Sequence, residues 1–196
     1  MFISPFSLWL LIVPALLFFW AIGAYNRLVR LRAKVRAAFA ALDEQLMRQV
    51  VWVQGCLPEP MRGGPQMLSS ELYDAPMAAW ARLHAASDQF SAALAQARSG
   101  VADVATMAGV VLAHEAMRTA WAGVLTEAVA ADAVPSADRL QARWLRLLNQ
   151  ALPLRTAFNE VAQAYNQAIG QFPAAIIARL ARFRPAGTVT RLAEPR

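Results

Sequence analysis

Apolar positions fall into two regimes along this chain. From Phe6 to Tyr25 the sequence FSLWLLIVPALLFFWAIGAY holds twenty residues without a charge. Beyond it, apolar residues recur at steps of three and four. Leu28, Leu31, Val35, Phe39, Leu42, Leu46, Val50 and Val53 form one such stripe, which predicts a long helix that starts in the apolar run and stops near Leu57, before Pro58, Pro60, Gly63, Gly64 and Pro65. A second stripe runs Met77, Trp80, Leu83, Ser87, Phe90 and Leu94, with Asp74 as cap, Pro76 in the first turn and Ser99-Gly100 as stop. A third runs Val104, Met107, Val111, Met117, Trp121, Val124 and Ala128, ending before Pro135. Ser136, with Asp138 behind it, opens a fourth through Leu140, Trp144, Leu148, Leu152, Phe158, Tyr165 and Phe172, where Pro153 bends the helix or frees a carbonyl near Asn149. No stretch alternates with the period of a strand. The expected fold is all-α: an N-terminal transmembrane helix (residues 1–26) continuing into an antiparallel up-and-down four-helix bundle (27–185), with a flexible basic tail at 186–196.

About twenty apolar residues in a helix cross the hydrocarbon layer of a bilayer. Trp9 stands toward one end of the run, Trp20 and Tyr25 toward the other, as interfacial aromatics do. A cleaved signal peptide needs a basic leader and a shorter apolar core; Ala21-Ile22-Gly23 is the segment that resembles its cleavage site. Here no charged side chain precedes Arg27. Arg27, Arg30, Arg32, Lys34 and Arg36 follow at once, and positive residues stay on the cytoplasmic side. The amino terminus is therefore expected outside and the body in the cytoplasm.

Charge sharpens this picture. The formal net charge is +6, yet residues 37–178 carry nine bases and twelve acids, so the excess sits in the two flanks. That distribution suits anionic lipid better than nucleic acid, whose binders spread basic and aromatic residues over a folded face. The second basic flank includes Arg179, Arg182 and Arg184 beside Ile176, Ile177, Leu180 and Phe183, a segment suited either to the headgroup layer or to capping the open end of the bundle.

Chemistry is sparse. No phosphate-binding loop, zinc-protease helix or nucleophile elbow occurs. His84 and His114 lie at similar distances from the turn at Gly100, so they can face each other with Glu115 nearby. Together with Cys56 they are the residues for an alternative reading as a metal-dependent or redox enzyme, though a zinc site wants three or four ligands. The bland reading is a seam histidine pair and a small apolar cysteine, with no catalytic residue, cofactor, metal or small-molecule substrate.

Two aromatic-Asn pairs, Phe158-Asn159 and Tyr165-Asn166, stand seven residues apart. Two helical turns put the aromatics on one face and the amides in a line beside it; aromatics fill the seam and the amides are expected to bond across to a neighbouring helix. If the first and fourth helices are antiparallel neighbours, Asp43 falls opposite Arg155, and a partly buried ion pair is expected between them.

The segment AYNRLVRLRAKVRAAFAALDEQLMRQ resembles the opening of LemA-family proteins, with Asp43, Gln45, Leu46 and Arg48 in the matching places. Arg155, Phe158-Asn159, Tyr165-Asn166, Ile169 and Phe172-Pro173 resemble the family's closing helix, and Ile177, Ala178, Leu180, Phe183 and Pro185 its short tail. The chain departs from the pattern at Val51–Leu57, at Leu148-Asn149, and at Arg182, where the family has Gly. The resemblance implies a single-pass protein of the bacterial inner membrane with a helical-bundle body and no enzymatic activity. It implies as partners the lipid bilayer and other inner-membrane proteins, among them a membrane metalloprotease.

Overall fold

A computed structural model describes residues 5–59, 75–99, 102–130 and 137–189, with side chains for 12–59, 77–99, 102–127 and 137–189. Five helices stand out among them: α1 (Pro5–Cys56), α2 (Ala75–Ser99), α3 (Val104–Ala130), α4 (Ala137–Gly170) and the short α5 (Ala174–Leu180). No strand occurs among the described residues. Asp74, Pro135 and Ser136, expected at helix ends, lie outside them, as do residues 190–196 and the side chains of Trp9 and Ala128.

The sequence periodicity explains which faces are buried. The α1 stripe from Leu28 to Val53 is almost entirely inaccessible, as are Leu83, Phe90 and Leu94 of α2, Met107, Met117 and Trp121 of α3, and Phe158 and Tyr165 of α4. From Val35 onward they join in one continuous core, while Leu28 belongs to a second, small cluster with Ala168 and Ala178. α1 packs along α4, and residue numbers rise along one as they fall along the other. Phe39 meets Phe158 at 5.8 Å between ring centroids, and Trp52 stacks on Trp144 at 6.0 Å. Trp121 of α3 closes this aromatic group, 4.9 Å from Trp52. α2 and α3 pack on each other, with Arg82 donating from Nη2 to both carboxylate oxygens of Glu127 at 2.7 Å and 2.8 Å. Asp103 caps α3 by accepting the Thr106 amide at 2.9 Å.

Two expected seam positions are not buried. Val104 is 59% exposed because it falls in the first turn of α3, and Phe172 is 83% exposed because α4 has already ended at Gly170. The apolar run of α1 is unlike the rest: Leu16, Phe18 and Phe19 are 64%, 64% and 71% exposed, so this part of the helix projects bare from the body. One helix among the described residues is long and apolar enough to cross a membrane, and it is α1.

Candidate functional site

The chain after α5 does not trail away at residue 186. It runs extended along α4 to Val189, with Ala186 and Val189 buried. The two asparagines hold it. Asn166 donates to the Ala186 carbonyl and accepts the Ala186 amide, both at 2.8 Å. Asn159 does the same with Val189, again at 2.8 Å each way. Tyr165 donates its hydroxyl to the Arg184 carbonyl at 2.9 Å, and burial pushes that phenol further above its ordinary pKa. The amides therefore serve the backbone of this strap, which corrects the expectation that they cross to a neighbouring helix. It also carries the packed chain past the expected end of the body at residue 185.

The heptad spacing has a simple origin. Seven residues of α-helix rise about 10.5 Å, and three residues of extended chain span about 10 Å. Side chains seven apart on a helix thus match strap residues three apart, and each amide offers a donor and an acceptor as a strand neighbour would. On its other side the strap meets the start of α3. Gly187 donates to the Ala102 carbonyl at 2.9 Å, and a Cβ there would lie 2.7 Å from the Asp103 oxygen and from Met107 Cβ, so only glycine fits.

The strap begins at a helix end of definite type. Phe183 donates to the Ala178 carbonyl at 2.9 Å and Arg182 to the Arg179 carbonyl at 3.2 Å, the paired bonds of a Schellman ending, with Arg182 in the left-handed region at φ 53°. Phe183 then lies edge-on to Tyr25 at 6.0 Å, and the Arg32 guanidinium stands 5.7 Å from its ring centre. The end of α5 is so fixed beside the point where the apolar run of α1 stops.

Two cavities flank Arg32. One, about 410 Å³, is floored by Val35, Phe39 and Tyr165 and rimmed by Arg36 and Arg98. The other, about 420 Å³, lies between Ser99, Asp103, Arg182 and Arg184. Arg32 and Ser99 line both. The Nε of Arg32 is buried without a hydrogen-bond partner. Asp43 accepts from Arg98 Nε through Oδ2 at 2.7 Å while its Oδ1 is buried without a hydrogen-bond partner, and Asp103 holds Thr106, whose hydrogen bonds keep its carboxyl below the usual range.

Asp43 thus pairs with Arg98 of α2, which corrects the expected partnership with Arg155. The reason is register. The α1–α4 partners Phe39–Phe158, Gln49–Leu147 and Trp52–Trp144 have numbers summing to about 196 or 197, so Asp43 lies opposite the region of Pro153. Arg155 belongs two positions nearer the N-terminus of α1.

The remaining expected residues fall in separate places. Trp20 and Tyr25 are 41% and 46% exposed, and Arg27, Arg30, Lys34 and Arg36 are exposed along the same helix. Arg179, Arg182 and Arg184 are exposed at the same end of the molecule. His114 is buried, 5.1 Å from the Phe90 ring, and contacts Gln49 Oε1 through Nε2 at 2.9 Å; Gln49 in turn donates to the Leu147 carbonyl at 3.3 Å. That chain of bonds makes His114 the neutral Nε2–H tautomer. Burial first, then Arg118, lowers its pKa to about 3. His84 is half-exposed and lies 3.6 Å from Asp88. The expected facing of the two histidines is therefore not what the hairpin produces: Phe90 occupies the place opposite His114. Cys56, at the far end of α1, is half-buried. Among the described residues no group of three or more His, Cys, Asp or Glu is arranged to hold a metal.

Sequence reasoning missed the strap, Arg98, Gly187 and the Gln49–His114 contact. The asparagine spacing was the available signal for the strap; nothing local announces the others. The molecule is, by its fold, an all-helical protein with one candidate membrane-spanning helix. Compared with family models, curated proteins and solved structures, the chain finds no match.

Proposed function

We propose that this chain is a membrane-anchored, non-enzymatic protein of the LemA type, an antiparallel four-helix bundle that acts as an interaction module on the cytoplasmic face of the bacterial inner membrane. One observation carries the reading: α1 is a single helix of 52 residues, apolar and largely bare over residues 12–25 and part of the packed core further on. No joint separates anchor from body, so the body stands at a fixed height and angle, which suits a platform for other membrane proteins. The opposed numbering of the α1–α4 partners and the α2–α3 hairpin support the antiparallel arrangement. The LemA resemblance gains support because Asn159, Tyr165, Asn166 and Phe183, which carry it, share one structural task at the strap.

Phe172, Ile176 and Leu180, 83%, 52% and 77% exposed, sit beside the end of the apolar run with the basic residues around them. In this reading they rest in the headgroup region, while Ala178 and Phe183 pack against the body. The test is crosslinking in native membranes with recovery of the protein and its adducts. The account expects reproducible adducts with other inner-membrane proteins; recovery of this chain alone in repeated trials would refute the interaction role.

A further inference from the structure

We infer that the two cavities meeting at Arg32 form a binding site for a phosphate group. The inference deepens the membrane reading where the phosphate comes from a lipid, and stands without it where the phosphate is soluble. Three independent features point to an anion. The first is charge: Arg32, Arg36, Arg98, Arg182 and Arg184 line the pair of cavities against Asp43 and Asp103 alone. Of these arginines only Arg98 is in an ion pair among the described residues, and it is the one that neutralises Asp43.

The second is an unmet donor. Arg32 Nε is shut away from solvent and bonded to nothing, while the guanidinium is held in place over Phe183. A buried donor without an acceptor is costly, and a planar guanidinium fork is matched by the oxygens of a phosphate. The third is Arg182. The residue that follows a Schellman ending is in the left-handed region, where glycine is the usual occupant because a Cβ is strained there. Here an arginine takes that seat at φ 53°, and its side chain lines the second cavity. Strain retained at one position of an otherwise regular turn points to a task for the side chain.

The rest of the wall is built to stay. Tyr165 and Asn166 fix the backbone on either side of Pro185, which sets the position of Arg184. Asp103 is committed to the α3 cap through Thr106, although its charge also attracts Arg184. Arg32 lies seven residues beyond Tyr25, about 10 Å further along the helix, which is within reach of the headgroup layer that borders about 30 Å of hydrocarbon. Two sources share this chemistry: the headgroup of an anionic phospholipid and a soluble phosphate.

The test uses the full chain in nanodiscs, read by thermal unfolding. In discs of phosphatidylcholine alone, inorganic phosphate or glycerol phosphate is added; in a second set, a fifth of the lipid is phosphatidylglycerol and no soluble phosphate is present. Wild-type protein is expected to unfold at a higher temperature in at least one arm, and the responding arm names the source. Arg182→Gly is the decisive variant, because it relieves the strained turn. It should unfold at a higher temperature than wild type in plain phosphatidylcholine, yet show an apparent Kd weakened about tenfold or more, the loss of one charge-assisted contact. Arg32→Gln should lose the response as well, and Arg139→Gln, on the exposed far end of α4, should keep it. A response in Arg182→Gly and Arg32→Gln equal to that of wild type, or no response of wild type in either arm, overturns the inference.

Discussion

Replacing Asn166 by Ala removes the two hydrogen bonds that hold Ala186 and leaves its amide and carbonyl facing a gap. Ala186 is only 2% exposed, so water reaches these groups poorly. An unmet buried backbone group costs about 1–3 kcal/mol, and with partial relaxation of the strap the pair costs about 2–4 kcal/mol. For a body of this size each kcal/mol lowers the unfolding temperature by about 2–4 °C, so a fall of about 5–15 °C is expected. Asn159→Ala should act likewise through Val189, and the double variant should cost less than the sum, because a strap released at one bond gives up part of the other. Asn166→Asp separates donor from shape: it still accepts the Ala186 amide but turns an oxygen toward the Ala186 carbonyl. Its carboxyl is then held above its unfolded value, so stability is present at low pH and lost as pH rises through the folded pKa. The assay is urea unfolding of the full chain in detergent micelles, with amide exchange at Ala186 and Val189 followed in parallel. If Asn166→Ala costs less than about 0.5 kcal/mol and leaves that exchange unchanged, the amide grip on the strap is refuted.

His114 gives a pH signature: its pKa is lowered to about 3 in the fold against about 6.5 unfolded, so the unfolded state binds the proton first. Its contribution is full above pH 6.5 and is lost as pH falls toward 3, at about 1.4 kcal/mol per unit, and His114→Gln should flatten that slope in unfolding measured from pH 7 to 4. Gly187→Ala should cost about 1–3 kcal/mol in urea unfolding, because the added methyl must displace the Asp103 carbonyl and Met107. A double-mutant cycle on Asp43 and Arg98 should give a coupling of about 0.5–1 kcal/mol, modest because Arg98 is 44% exposed, with a smaller value for Asp43 and Arg155.

Helices were legible in the sequence wherever a stripe ran long enough, as in α1, where every residue from Leu28 to Val53 assigned to the seam is buried or half-buried. Local rules also found where α1 and α2 end, at Cys56 and Ser99. What they could not supply was register. Seven-residue periodicity is indifferent to a slide of two or three residues between α1 and α4, and the side-chain volumes of Phe39, Trp52, Phe158 and Trp144 settle that slide. Asp43 consequently meets Arg98. The strap was hidden for another reason: residues 183–189 have neither helical nor strand periodicity, and their order comes from three side chains of α4 about twenty to thirty residues earlier. The asparagine pair was visible, but its partner, an extended backbone, leaves no mark of its own in sequence.

The central claim is that α1 crosses the membrane with its start outside and the body within. The direct measurement is labelling of single cysteines in intact cells by a membrane-impermeant maleimide, with Cys56 replaced by Ala and one cysteine introduced either at Ser4 or at the exposed Gln163. The account predicts that Ser4→Cys is labelled in intact cells and Gln163→Cys only after the cells are opened. Labelling of Gln163→Cys in intact cells, with Ser4→Cys protected, would contradict it.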